Sequence, residues 1–91
     1  MSDYKHHVSF EPFTQRDGYV WRAKVHIVRR MVWPRSGREH LYENTIDLGW
    51  YWSQRKAWVR VLAYRDSAER ISRLAGHIVE REPHEQEDPA A

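Results

Sequence analysis

Residues 19–33, YVWRAKVHIVRRMVW, alternate so strictly that one set of side chains is apolar and the other basic. Tyr19, Trp21, Ala23, Val25, Ile27, Arg29, Met31 and Trp33 form the first set; Val20, Arg22, Lys24, His26, Val28, Arg30 and Val32 form the second. A period of two is a strand period, because successive strand side chains point to opposite faces of a sheet. The segment therefore predicts a strand that buries its first set and holds Arg22, Lys24, His26 and Arg30 in solvent.

The flanking residues extend this strand into a meander. Residues 5–13 read as a preceding strand, with Val8 and Phe10 on one side and Lys5, His7, Ser9 and Glu11 on the other, and Pro12 places it at a sheet edge. Gln15-Arg16-Asp17-Gly18 supplies a turn, since Asp-Gly provides the positive φ of a tight reversal. Pro34-Arg35-Ser36-Gly37 is the next turn, and a third strand runs over residues 38–50. A four-residue turn there pairs Trp21 with Trp50, Ala23 with Leu48, Val25 with Ile46 and Ile27 with Asn44 on the inner face. On the outer face it pairs Lys24 with Asp47 and His26 with Thr45, and sets Glu43 diagonal to Arg30. Those acids can answer the strand's cations within the fold.

Beyond Trp50, Ala57, Val61, Tyr64, Ala68, Ile71, Ala75 and Ile78 recur at spacings of four and three, the stripe of one long helix with Ser53 as N-cap. Pro83 stops that helix, and the acidic stretch over residues 83–91 reads as a disordered tail. The expected fold is α+β, one domain over residues 1–82: a three-stranded antiparallel meander packed against a long C-terminal helix. The alternative makes residues 57–64 a fourth strand, with Trp58, Val59, Val61 and Tyr64 as strand formers and Asp66-Ser67-Ala68-Glu69 capping a shorter helix.

Composition bounds the function. Ninety-one residues hold one small core, and 41% apolar content with five Trp and five Tyr can fill it. No apolar run reaches the roughly 20 residues of a membrane span, and the opening residues lack the apolar centre of a signal peptide, so a soluble cytoplasmic protein is expected. With no cysteine, disulfides and thiolate metal sites are excluded. The formal charge is +2, but residues 80–91 carry −4, which leaves residues 1–79 at +6. A basic body suits nucleic acid or an acidic protein surface.

Six histidines do not assemble a metal motif, because no two have ligand spacing on one element. Nor is there a nucleophile elbow, a glycine-rich phosphate loop or a carboxylate pair brought together in an apolar pocket. A non-enzymatic protein without a cofactor or metal is expected. Tyr51, Trp52 and Trp58 cluster where the third strand gives way to the helix, beside Arg55, Lys56 and Arg60, and offer an aromatic surface for a partner protein or for bases.

Leu48-Gly49-Trp50-Tyr51-Trp52-Ser53, followed by Ala57 and Ala63-Tyr64, resembles the strand-end and helix-start pattern of plant AP2/ERF domains and of the arm-binding domains of phage integrases, over residues 19–68. The resemblance implies a sheet face that enters the major groove of DNA and places Arg22, Lys24, His26 and Arg30 as its readers. Glu43 and Asp47, on the same face, depart from the pattern. The leading expectation is a DNA-binding module using Arg22, Lys24, His26, Arg30, Arg35 and Arg38. The alternative is a protein-interaction module, such as a phage-encoded or accessory protein that binds a host protein or homodimerises through Trp52, Trp58 and the helix. RNA binding requires aromatics on the exposed sheet face, which this register places inside.

Overall fold

The computed structural model describes residues 4–81 and is α+β. Three long strands, β1 (Lys5–Asp17), β2 (Val20–Trp33) and β3 (Arg38–Tyr51), form an antiparallel meander with β2 in the middle. Helix α1 (Gln54–Leu74) crosses one face, and the chain ends as β4 (Ile78–Glu80), parallel to β1. The sheet order is β3-β2-β1-β4. The expected meander and helix are present, and the sheet has a fourth strand. The four-stranded alternative with a shorter helix therefore holds in strand count, with its fourth strand at Ile78–Glu80 and residues 57–64 helical.

Glycines close both hairpins. Asp17 pairs with Val20 across a Gly18-Tyr19 loop, with Gly18 at φ 62° in the first loop position. Strand β1 thus runs to Asp17, and Tyr19, expected on the inner face, stands 91% exposed in the turn. Trp33 pairs with Arg38 across the four-residue turn, where Gly37 N–H donates to Trp33 C=O at 2.8 Å.

The inner face carries the core: Val8 and Phe10 of β1, Ala23, Val25 and Ile27 of β2, and Ala57, Trp58 and Val61 of α1, all buried. Pro12 is also fully buried. It needs no partner N–H acceptor on its outer edge, because β4 pairs only with His7 to Ser9 and leaves β1 an edge strand at Pro12.

The register matches the expectation from Trp33–Arg38 down to Lys24–Asp47 and then shifts by one. Past the irregularity Arg22 pairs with Trp50 and Trp21 with Tyr51, not Trp21 with Trp50. The added residue is accommodated near Gly49, whose φ of 105° suits glycine and whose N–H donates to Asp47 Oδ1 at 2.8 Å. A one-residue slip exchanges the faces. Trp50, expected in the core, turns out to the outer face and is 50% exposed, while Tyr51 turns in against the core.

Ser53 caps α1 as expected, its Oγ accepting from Lys56 N–H at 3.2 Å. The buried side of the helix is Ala57, Trp58, Val61, Arg65, Glu69 and Ser72, rotated from the expected stripe, and Ile71 is exposed. Trp58 lies in the core between sheet and helix. The helix ends at Leu74, earlier than expected. Gly76, at φ 84°, donates to Arg73 C=O at 3.0 Å and His77 N–H donates to Ser72 C=O at 2.9 Å, so the last carbonyls are closed by a Schellman motif. Ala75 and Ile78 share the helical spacing but lie beyond the helix. The expected tail, residues 83–91, lies outside the described residues.

Glu69, 1% exposed, is held by Arg81 just after β4, which donates from Nε at 3.1 Å and from Nη2 at 2.7 Å. Arg73 Nη2 lies 4.0 Å from the same carboxylate. This forked contact ties β4 to the helix.

The molecule measures 50 × 23 × 22 Å. A 14-residue strand spans about 46 Å, whereas the 21-residue helix spans about 31 Å. The helix starts at the Gly18 end, so the far β2–β3 hairpin projects beyond it.

Candidate binding surface

The outer sheet face holds the cations that the alternation of β2 put there, and carboxylates answer most of them. Arg22 Nε donates to Asp17 Oδ2 at 3.2 Å, and its Nη1 lies 3.6 Å from Asp47 Oδ2. His26 Nδ1 is 3.0 Å from Thr45 Oγ1, and its Nε2 is 3.7 Å from Glu43. Arg30 bridges Glu80 at 3.2 Å and Glu39 at 3.6 Å, and His7 Nδ1 lies 2.8 Å from the same Glu80 oxygen. Lys24 stands opposite Asp47 in the register, but Asp47 is engaged by Arg22 and by the Gly49 amide. Such exposed pairs contribute about 0–1 kcal/mol each to stability. Their larger consequence here is to lower the positive potential of the face.

The six cations expected to act together do not form one patch. Arg22, Lys24, His26 and Arg30 lie on the outer face, while Arg35 is in the turn at the hairpin tip. Arg38 begins β3, with its guanidinium 5.9 Å from the centre of the Trp33 ring.

The opposite end of the domain is composed differently. The Gly18 turn, the end of β3 and the start of α1 meet there, and they expose Tyr19, Trp50 and Trp52, the last by 70%. The Trp50 and Trp52 rings stand edge to face at 5.1 Å. Arg16 approaches the Trp21 ring at 5.9 Å, and Arg55 and Lys56 project from the first helical turn, which contains no acid. The positive end of the helix dipole adds to their field. Of the three aromatics expected here, Trp52 is on the surface, Tyr51 is partly buried on the inner face, and Trp58 is only 3% exposed and belongs to the core. Tyr19 and Trp50 replace them. Gly49 within the strand pattern was the available signal, since a glycine inside a strand marks a bulge.

No family model matches the chain, and no curated protein or solved structure matches it significantly.

A third feature lies between β1 and the start of β4. The His6 and His77 rings lie with centres 4.0 Å apart, tilted by 39°, and with Tyr4, Lys5, Ala75, Gly76 and Ile78 line a hollow of about 460 Å³. His6 Nε2 and His77 Nδ1 are buried without a hydrogen-bond partner. Burial, followed by the neighbouring His77, Arg29 and His7, holds the His6 imidazole below its ordinary pKa. Among the described residues no group of three or more His, Asp or Glu side chains is arranged to hold a metal ion. No helix among them is long and apolar enough to cross a membrane.

Proposed function

We propose that this protein is a non-enzymatic binding module that engages single-stranded nucleic acid through its aromatic, cationic end. The observation that carries this reading is a contrast along the outer face: Arg22, His26 and Arg30 sit against Asp17, Asp47, Glu43, Glu39 and Glu80, whereas at the Gly18 end Trp50, opposite Arg22, is exposed with Tyr19 and Trp52, and Arg16, Arg55 and Lys56 belong to the segments that meet there. A duplex reader needs uncompensated cations across a groove-sized face. Unpaired bases instead need aromatic faces to stack on and a few cations for the backbone, with stacking worth about 1–3 kcal/mol per base. The bulge at Gly49 supports this choice, because it brings Trp50 to the exposed side of the sheet, where a strand of bases has access to it.

Tryptophan fluorescence titrated with an unstructured oligonucleotide at low salt tests the proposal. Stacking should quench Trp50 and Trp52, and the affinity should fall as salt rises, with a shallow slope set by the few cations at this end. Unchanged fluorescence and no complex at low salt would refute it.

A further inference from the structure

We infer that residues 82–91 dock on the aromatic, cationic end of the domain and cover Arg55 and Lys56 at the start of α1. The docking does not depend on the nucleic-acid reading; its consequence, competition between this segment and a bound polyanion, rests on that reading. Residues 48–64 contain no Asp or Glu, and their three cations, Arg55, Lys56 and Arg60, are all exposed. Arg16, exposed near the end of β1, adds a fourth. Among the described residues none of these four is paired with a carboxylate. The sheet-face arginines Arg22 and Arg30 are answered from β1, β3 and β4, and the second half of α1 interleaves Arg65 and Arg73 with Asp66 and Glu69. The first half of the helix has no such internal answer.

The chain itself supplies the complementary segment. Residues 82–91 carry Glu82, Glu85, Glu87 and Asp88 and no Lys or Arg, a charge of −4 against +4 on Arg16, Arg55, Lys56 and Arg60. Their point of departure is fixed by two contacts: Glu80 pairs with Ser9, and Arg81 is forked onto Glu69 on the helix. Because β4 is parallel to β1, the chain leaves it heading toward the Gly18 end and away from the β2–β3 turn that carries Arg35. Continuing the β4 ladder in register would set Glu82 against Glu11 and Pro83 against Pro12, which disfavours further strand pairing and leaves the helix side open to the segment. Helix α1 begins beside β1, where Gln54 Nε2 donates to Thr14 Oγ1 at 3.2 Å. From Ser9 the sheet runs about 17 Å to Thr14 and about 23 Å to Arg16, whereas ten extended residues reach about 33 Å. Glu85 can therefore lie level with the first helical turn, and Glu87 and Asp88 level with Arg16. A tether this short gives a millimolar effective concentration, which lets contacts that are individually weak in solvent act together.

The chain has no cysteine, so a nitroxide on Ala90→Cys gives a single paramagnetic label in the full chain. At low salt the amide resonances of residues 14–19 and 50–57 should broaden more than those of residues 34–38. Both groups lie about 20–23 Å along the sheet from the level of Ser9, so an undirected segment would broaden them alike. The contrast should vanish at about 1 M salt, where the screening length is about 3 Å, and in Arg55→Gln/Lys56→Gln, whose changes fall at exposed positions. Equal broadening of the two groups, stronger broadening of residues 34–38, or a pattern indifferent to salt would overturn the docking. So would broadening of an isotope-labelled chain by a nitroxide carried on a second chain, because the contact would then be intermolecular. Neutralising the segment in the full chain, by Glu82→Gln, Glu85→Gln, Glu87→Gln and Asp88→Asn, should tighten oligonucleotide binding at low salt about two- to tenfold, and unchanged affinity would overturn the competition. A chain that binds no oligonucleotide in either form would count against the nucleic-acid reading, with the broadening pattern still deciding the docking.

Discussion

Replacing Arg81 by Met should destabilise the domain far more than a surface change does, because it leaves the Glu69 carboxylate buried. Glu69 is 1% exposed and accepts two charge-assisted hydrogen bonds from one guanidinium, at 2.7 and 3.1 Å. Breaking a buried pair by removing one partner costs about 3–5 kcal/mol. Two features of the site reduce that figure. The Arg81 side chain is itself about half exposed, and Arg73, already 4.0 Å from the carboxylate, remains as a weaker partner. A loss of about 2–3 kcal/mol is the expected result, which for a domain of this size lowers Tm by roughly 8–24 °C. Glu69→Gln should cost less, since the amide removes the buried charge and keeps an acceptor. The double variant Glu69→Leu/Arg81→Met should regain stability over Arg81→Met alone, because an apolar pair leaves no unanswered charge. Urea denaturation of wild type, Arg81→Met, Glu69→Leu and Glu69→Leu/Arg81→Met, followed by circular dichroism and analysed as a double-mutant cycle, measures the coupling, with Glu69→Gln measured alongside. If Arg81→Met lies within 0.5 kcal/mol of wild type by the roughly ±0.5 kcal/mol standard of surface substitutions, β4 is not clamped to α1 in this way.

Three further outcomes follow from the same structure. Trp58→Ala should cost about 3–5 kcal/mol as a core truncation, whereas Trp52→Ala should stay within about 0.5 kcal/mol as a surface change; chemical denaturation separates them. Gly49→Ala should destabilise by roughly 1–2 kcal/mol through its positive φ alone, since a Cβ there meets nothing within 4 Å, and thermal melts of the variant check it. The depressed His6 pKa makes protonation favour the unfolded chain: the stability this imidazole contributes is present above the ordinary value of 6.5 and is lost as pH falls from there toward the lower folded value. Denaturation midpoints of wild type and His6→Gln compared across that interval should converge at the acid end, and parallel curves would contradict this.

Much of the fold was legible because β2 is long and strictly alternating. Its two phases assign faces without ambiguity, and the Pro34–Gly37 turn then fixes the pairing as far as Lys24 and Asp47. The legibility ended at Gly49, since a glycine in a strand signals a bulge but not which side chain changes face. That residue decided whether Trp50 was core or surface. In the helix the apolar spacing through Ala75 and Ile78 was coincidental, and Gly76 was the stop signal that it obscured. The buried stripe could not be found by hydrophobicity, because it includes Arg65 and Glu69, and the shortest contacts to the Glu69 carboxylate come from Arg81, twelve residues away and beyond the helix. The cations of β2 were located correctly on the outer face. What they face was only partly visible, because Asp17 and Glu80 come from segments whose register with β2 the β2–β3 turn does not specify.

The choice between the paired sheet face and the aromatic end rests on one comparison: binding of the same oligonucleotide at low salt by Trp50→Ala/Trp52→Ala and by Arg22→Gln/Arg30→Gln. Loss of two stacking platforms should weaken binding by about 2 kcal/mol or more, roughly thirtyfold. The arginine pair should lose far less than the tryptophan pair, since its charges are already engaged by Asp17, Asp47, Glu39 and Glu80 and only Arg22, opposite Trp50, borders the aromatic end. Loss of binding with the arginine pair and none with the tryptophan pair would contradict this account and return the function to the sheet face.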